Sequence, residues 1–237
     1  MLCAVARWGD SMKTVKNFIS NYKHGFWILA YMIFYLIGFY ILENAGHRHY
    51  HVIHSWLDDQ IPFCEYFIVP YLLWFVYLVV GICWFIFKAR DKREYYKLVS
   101  VLALGMTIFL IVSCVYPNKQ DLRPTILVGD SVFTRLVQWL YTTDTPTNIL
   151  PSIHVFNSLA LFYAINGSQQ LKEKMGARIF TGVLTLSIIL STMFLKQHSV
   201  VDVSLGILMS VALQMFGDRI FQSEPEVYRK SYLRRIY

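Results

Sequence analysis

The sequence predicts an all-α polytopic membrane protein with six transmembrane helices, and three observations predict it. Of 237 residues, 56% are apolar and only 16% charged, whereas soluble domains of this size carry nearer a quarter charged residues. Six apolar runs are long enough to cross a hydrocarbon layer of ~30 Å as helices. The cations behind the net charge of +7 gather in the connections between those runs rather than inside them.

The runs fall at 26–42, 63–87, 98–116, 150–165, 179–195 and 200–216. The fourth is the shortest and carries Ser152, His154 and Asn157, so it reads as a span with one polar wall turned to the bundle interior. Before the first run, residues 8–24 mix Trp8, Val15, Phe18, Ile19 and Tyr22 with Lys13, Lys16 and Lys23, a pattern suited to a helix at headgroup level. That segment does not read as a cleavable signal sequence, so the first run reads as an uncleaved anchor. Residues 132–141 are apolar at helical spacing and predict a short helix lying over the membrane surface. Three divisions follow: an amphipathic segment at 1–24, a six-span membrane domain at 25–217 and a basic tail at 218–237. No repeat or low-complexity linker argues for a second domain.

With an even number of spans, both termini share one side with the turns at 88–97 and 166–178. That side holds seventeen Lys and Arg, the other five. Basic loops stay cytoplasmic, so the termini are expected there and the remaining connections on the opposite face. A nucleic-acid partner is not expected, because topology and anionic lipid account for these cations. Cys3, Cys64, Cys83 and Cys114 show no metal or redox spacing and read as packing residues. The loop with His47, His49, His51, His54, Asp58 and Asp59 invites a metal, but its spacing matches no standard ligand set; a solvated interfacial loop is the simpler reading, and no cofactor is expected.

Three short stretches converge on the predicted outer face. His198 and Asp202 are four residues apart and share one face of a helix. A carboxylate on one imidazole nitrogen fixes the tautomer and frees the other nitrogen as a nucleophile or base. Alone, such a pair is as well read as a helix-end hydrogen bond. Arg123 brings a guanidinium fork that matches two phosphate oxygens, although by itself it reads equally as a headgroup anchor. Ser152 reads either as a helix cap after Pro151 or as a donor to an anion at the helix start, and His154 as a satisfied interior histidine or a general acid and base. Together they suit phosphoester chemistry, with His198 attacking phosphorus and His154 protonating the leaving alkoxide.

Arg123-Pro124, Pro151-Ser152-Ile153-His154, and His198 followed by Asp202 resemble the three signature motifs of the type 2 phosphatidic acid phosphatase superfamily. The likeness covers residues 116–202 directly and the six-span bundle overall. It implies metal-independent removal or transfer of a lipid phosphoryl group, with His198 as nucleophile, Asp202 orienting it, His154 as acid and base, and Arg123 and Ser152 holding phosphate. Three positions depart from the pattern. Tyr116 and Thr192 stand where the family usually has Lys and Arg, with Lys119 and Lys196 nearby as substitutes in the phosphate-binding set, and Ile153 stands where Gly is common. The bulky residue in Pro-Ser-x-His is closer to the branch that includes inositol phosphorylceramide synthases, which pass the phospho-headgroup to another lipid alcohol. The resemblance therefore implies a plasma-membrane enzyme acting on a phosphorylated lipid at the extracytoplasmic face, by hydrolysis or by transfer. A catalytically inactive lipid-binding relative is the reading from another class.

Overall fold

The structure, a computed structural model, describes residues 20–46, 49–127 and 129–221. Most of the N-terminal segment, His47, and the basic tail from residue 222 onward lie outside the described residues. The described chain is overwhelmingly helical: α1 Phe26–Glu43, α2 Trp56–Gln60, α3 Ile68–Phe87, α4 Lys92–Val115, α5 Val132–Thr143, α6 Ile153–Gly167, α7 Met175–Phe194 and α8 Val200–Ile220. Two-residue strands β1 (His51–Val52) and β2 (Asn118–Lys119) and 3-10 turns at Lys23–Gly25 and Glu65–Phe67 complete it.

Five helices, α1, α3, α4, α7 and α8, are long and apolar enough to cross a membrane. Their outward faces carry large apolar side chains that no protein group covers, such as Trp27, Phe34, Val79, Phe180 and Leu208. This is the surface of a multi-pass membrane protein. The fourth expected span is α6, of 15 residues. At 1.5 Å per residue it is about 22 Å long, short of the ~30 Å hydrocarbon layer.

Polar side chains fix where helices start. Asp91, Ser131, Ser152 and Ser199 each stand at an N-cap in extended backbone and accept from an amide of the first turn, which satisfies donors the helix cannot. The Asp91 cap explains why α4 begins at Lys92 rather than near residue 98: its first turns are charged on one face but bury Tyr95 completely on the other.

Although the shortest of the inner helices, α6 is the central one, packed against α3, α4, α7 and α8, with α1 set against α4 at the periphery. Phe156, Ala160, Leu161 and Ile165 of α6 enter the main core with Trp74, Tyr77, Leu98, Leu102 and Ile188. The α4 contact is very close. A Cβ placed on Gly105 would sit 2.1 Å from Phe156 Cζ, far inside van der Waals contact, so only glycine fits.

At one end of the bundle the connections are sewn together by backbone. β1 runs parallel to β2, pairing His51 with Asn118 and Val52 with Lys119, and Lys119 forms an antiparallel bridge with Thr147. Asn118 is fully buried, and its Oδ1 accepts from Ile149 N and Leu150 N, both at 2.9 Å. On the same end α5 packs its Val137 and Leu140 against Ile68 and Tyr71 and leaves Trp139 exposed, the short amphipathic helix that its sequence pattern predicts.

Candidate active site

The histidine and aspartate meet as the spacing requires. His198 Nδ1 is hydrogen-bonded to Asp202 Oδ2, and Asp202 is completely buried. The backbone holds His198 from both sides. After α7 ends at Phe194, the carbonyl of Thr192 accepts from Gln197 N at 2.9 Å and from His198 N at 3.0 Å. On the far side, Asp58 reaches over from α2: Oδ1 accepts from Val200 N at 2.8 Å, and Oδ2 from Ser199 Oγ at 2.6 Å and Ser55 N at 2.7 Å. Three donors satisfy this buried carboxyl group, as a polar group inside a protein requires.

His154 stands in the first turn of α6 and faces the pair. Its Nδ1 lies 3.3 Å from His198 Nε2, the nitrogen that Asp202 leaves free. Tyr71 and Trp74 of α3 wall it in, with ring centroids at 4.8 and 4.3 Å. Ser152, one residue before α6, donates its backbone N–H to the Asp202 carbonyl at 3.0 Å, and its buried hydroxyl caps α6. α8 crosses so near that a Cβ on Gly206 would lie 2.7 Å from Ser152 O. The absence of a side chain there is what lets both motifs share one pocket.

Arg123 joins this group through its neighbours. It donates to Gln197 Oε1 and, at 3.2 Å, to the carbonyl of Tyr141, and it stacks over the Tyr141 ring at 4.5 Å. Burial lowers its guanidinium from the ordinary value, opposed by the nearby Asp144. Burial also pushes the Tyr141 phenol up to about 12. Asp144 accepts from Tyr71 OH at 3.1 Å, so one carboxyl touches the residue that packs on His154 while lying close to Arg123. Burial raises this carboxyl above its usual range, with His198 and Arg123 opposing. The result is a connected group of side chains: Arg123, Gln197, His198, Asp202, His154, Tyr71 and Asp144.

The two lysines are placed differently. Lys196 turns its ammonium to the carbonyl of Asp58 at 2.6 Å, and Lys119 contributes its backbone to the β-seam. Tyr116 stacks on His51 with ring centroids 4.3 Å apart, and Thr192 is buried and serves through its carbonyl. Neither position supplies a cation. In the histidine-rich loop, His54 pairs with Asp59 at 3.0 Å, which raises its pKa. Among the described residues no three His, Cys, Asp or Glu side chains gather in metal-holding geometry.

Asp58, Gln197, Asp144, Tyr71 and Trp74 are site residues that the sequence pattern does not single out. For Asp58 a local signal exists, since Ser55-x-x-Asp58 has the form of a capping box, which the structure shows. Gln197 carries none beyond standing next to His198. Comparison with known proteins finds no family model, no curated protein and no solved structure that matches the chain.

Proposed function

We propose that the chain is a metal-independent lipid phosphatase of the type 2 phosphatidic acid phosphatase kind, working through a phosphohistidine. The observation that carries this reading is the three-group line Asp202–His198–His154, with Nδ1 of His198 on the carboxylate and Nε2 facing a second imidazole at 3.3 Å. A histidine needed only for packing has no use for a free, oriented nitrogen beside a second proton carrier.

In the first step Nε2 of His198 bonds to phosphorus and the P–O bond to the lipid breaks. His154 gives its proton to the departing alkoxide, and Asp202 stabilises the positive imidazole that forms. Arg123 holds the phosphoryl oxygens. In the second step His154 takes a proton from water, the oxygen attacks phosphorus and the P–N bond breaks, returning His198. The phosphoryl group takes the place of the present His198–His154 contact. This reading counts α6 as the sixth span of the bundle and places the histidines at the extracytoplasmic face of the plasma membrane, on the basic residues of the opposite connections.

A second reading is favoured by the charge of the pocket. Arg123 has Asp144 beside it, Tyr116 and Thr192 are neutral, and Lys196 is held by Asp58. One guanidinium next to a carboxyl suits the single charge of a phosphodiester better than a dianionic monoester, which points to transfer of a phospho-headgroup to another lipid alcohol.

The test is incubation of purified chain in detergent, with chelator, against phosphatidic acid, phosphatidylglycerol phosphate, prenyl pyrophosphates and phosphatidylinositol, with His198→Ala as control. His198-dependent phosphate release establishes the phosphatase. A new phospholipid without release establishes the transferase. Silence on every lipid removes both and leaves a lipid-binding protein.

A further inference from the structure

Gln197 lies immediately before the nucleophile and is 3% exposed. Arginine carries only donors, so the atom of the Gln197 amide that faces Arg123 must be its oxygen, as the structure has it. That assignment is fixed by chemistry and leaves the amide nitrogen on the other side. The nitrogen is buried and meets no acceptor among the described residues, and the same is true of Arg123 Nε. Two buried donors without acceptors, on side chains bonded to each other and one residue from His198, are a costly arrangement unless an anion completes them; an unsatisfied buried donor costs about 1–3 kcal/mol. The backbone N–H groups of Gln197 and His198 share one acceptor, Thr192 O, which holds the two backbones side by side.

Building on the phosphoryl-transfer reading, we propose that Gln197 is a phosphate-binding residue: its Nε2 and Arg123 Nε donate to the phosphoryl oxygens of the substrate, a neutral donor working where the phosphate pocket lacks a second cation. The amide thus has two jobs, holding Arg123 with its oxygen and the phosphoryl group with its nitrogen. The two jobs come apart in Gln197→Glu, which keeps an acceptor for Arg123 but has no donor. Its carboxylate also repels an anion, so retained binding shows that Gln197 only props Arg123, and a loss counts for donation only where the neutral Gln197→Met loses binding as well.

The probe is inorganic orthovanadate, titrated against the purified full chain in detergent and read by thermal stabilisation, which needs no turnover. Parent protein is expected to titrate. Gln197→Glu and Gln197→Met are expected to bind at least about tenfold more weakly, the loss of one hydrogen bond to a charged group, each shift being read against that variant's own unliganded midpoint. Binding by Gln197→Glu or Gln197→Met within threefold of parent overturns the assignment, and so does a parent that does not bind orthovanadate at all. Should Gln197→Glu fail to fold, Gln197→Met carries the same threshold. Binding that depends on Gln197 in a protein that turns over no lipid leaves this assignment standing and removes only the proposed catalysis.

Discussion

Asp58→Ala removes a carboxylate that ties α2 to the start of α8, across 142 residues of chain. Asp58 is 2% exposed and accepts from Ser55 N, Ser199 Oγ and Val200 N. Alanine removes all three acceptors. The serine hydroxyl can rotate to another partner, but the two amides are fixed by the backbone. Both amides stand at half-buried positions, where a hydrogen bond contributes about 0.5–1.5 kcal/mol net, so the expected loss is about 1–3 kcal/mol. Asp58→Asn keeps one oxygen and sets an NH2 against a donor, and it is expected to fall between parent and alanine. The assay is thermal unfolding of purified protein in detergent, where 1 kcal/mol corresponds to about 2–4 °C for a chain of this size. Because Ser199 and Val200 follow His198 directly, turnover is expected to fall in the same order. An alanine variant melting within about 1 °C of parent, or an asparagine variant less stable than the alanine one, would refute the view that this carboxylate holds the site together.

Three further outcomes are expected. Arg123→Lys should lower turnover more than tenfold, because a point charge replaces a fork held by Gln197 and Tyr141; an unchanged rate makes Arg123 an interface anchor. Asp144 has its folded pKa raised by burial, so the folded state binds the proton more tightly and ionisation above the unfolded value near 3.8 erodes stability as pH rises. Asp144→Asn, which still accepts from Tyr71, should therefore gain stability relative to parent from pH 4 to pH 7, and a gain that shrinks over that range contradicts the burial argument. Gly206→Ala should sharply reduce turnover, since its Cβ meets the Ser152 carbonyl and must push α8 with His198 away from α6 with His154; full activity would show that the crossing can give.

The sequence makes the helices legible where physics is local. Apolar runs give five of the long helices, and the i,i+4 rule gives the His198–Asp202 bond. Boundaries move where capping overrides hydropathy, as at Asp91, and where a 3-10 turn at Glu65–Phe67 takes the start of the second run. The shortness of α6 is legible as well, since the fourth run, 150–165, is the shortest of the six; the helix starts three residues later, at Ile153, because Pro151 and the Ser152 cap precede it. The pocket itself is built by pairs far apart in the chain. Arg123 reaches His198 only by way of Gln197, 74 residues on, and Asp58 meets Ser199 across 141. Such contacts leave no periodicity to read. Nearness in sequence also misleads: Lys196 stands two residues from His198, yet Asp58 holds its ammonium.

The seam of β1, β2 and Thr147 bears on the order in which the protein is made. Its ties join residues 51–53, 117–120 and 146–150, and none of these uses a residue beyond Leu150. During synthesis from the N-terminus, this seam can close while α7 and α8 are still unmade. Asp58 and Gln120, which bind Val200 and Lys196, then wait with acceptor and donor ready. α8 arrives into a cradle already built, and it is the helix that carries Asp202 and fixes His198. The imidazole of His198 is thus oriented only after the parts that hold its backbone have been made.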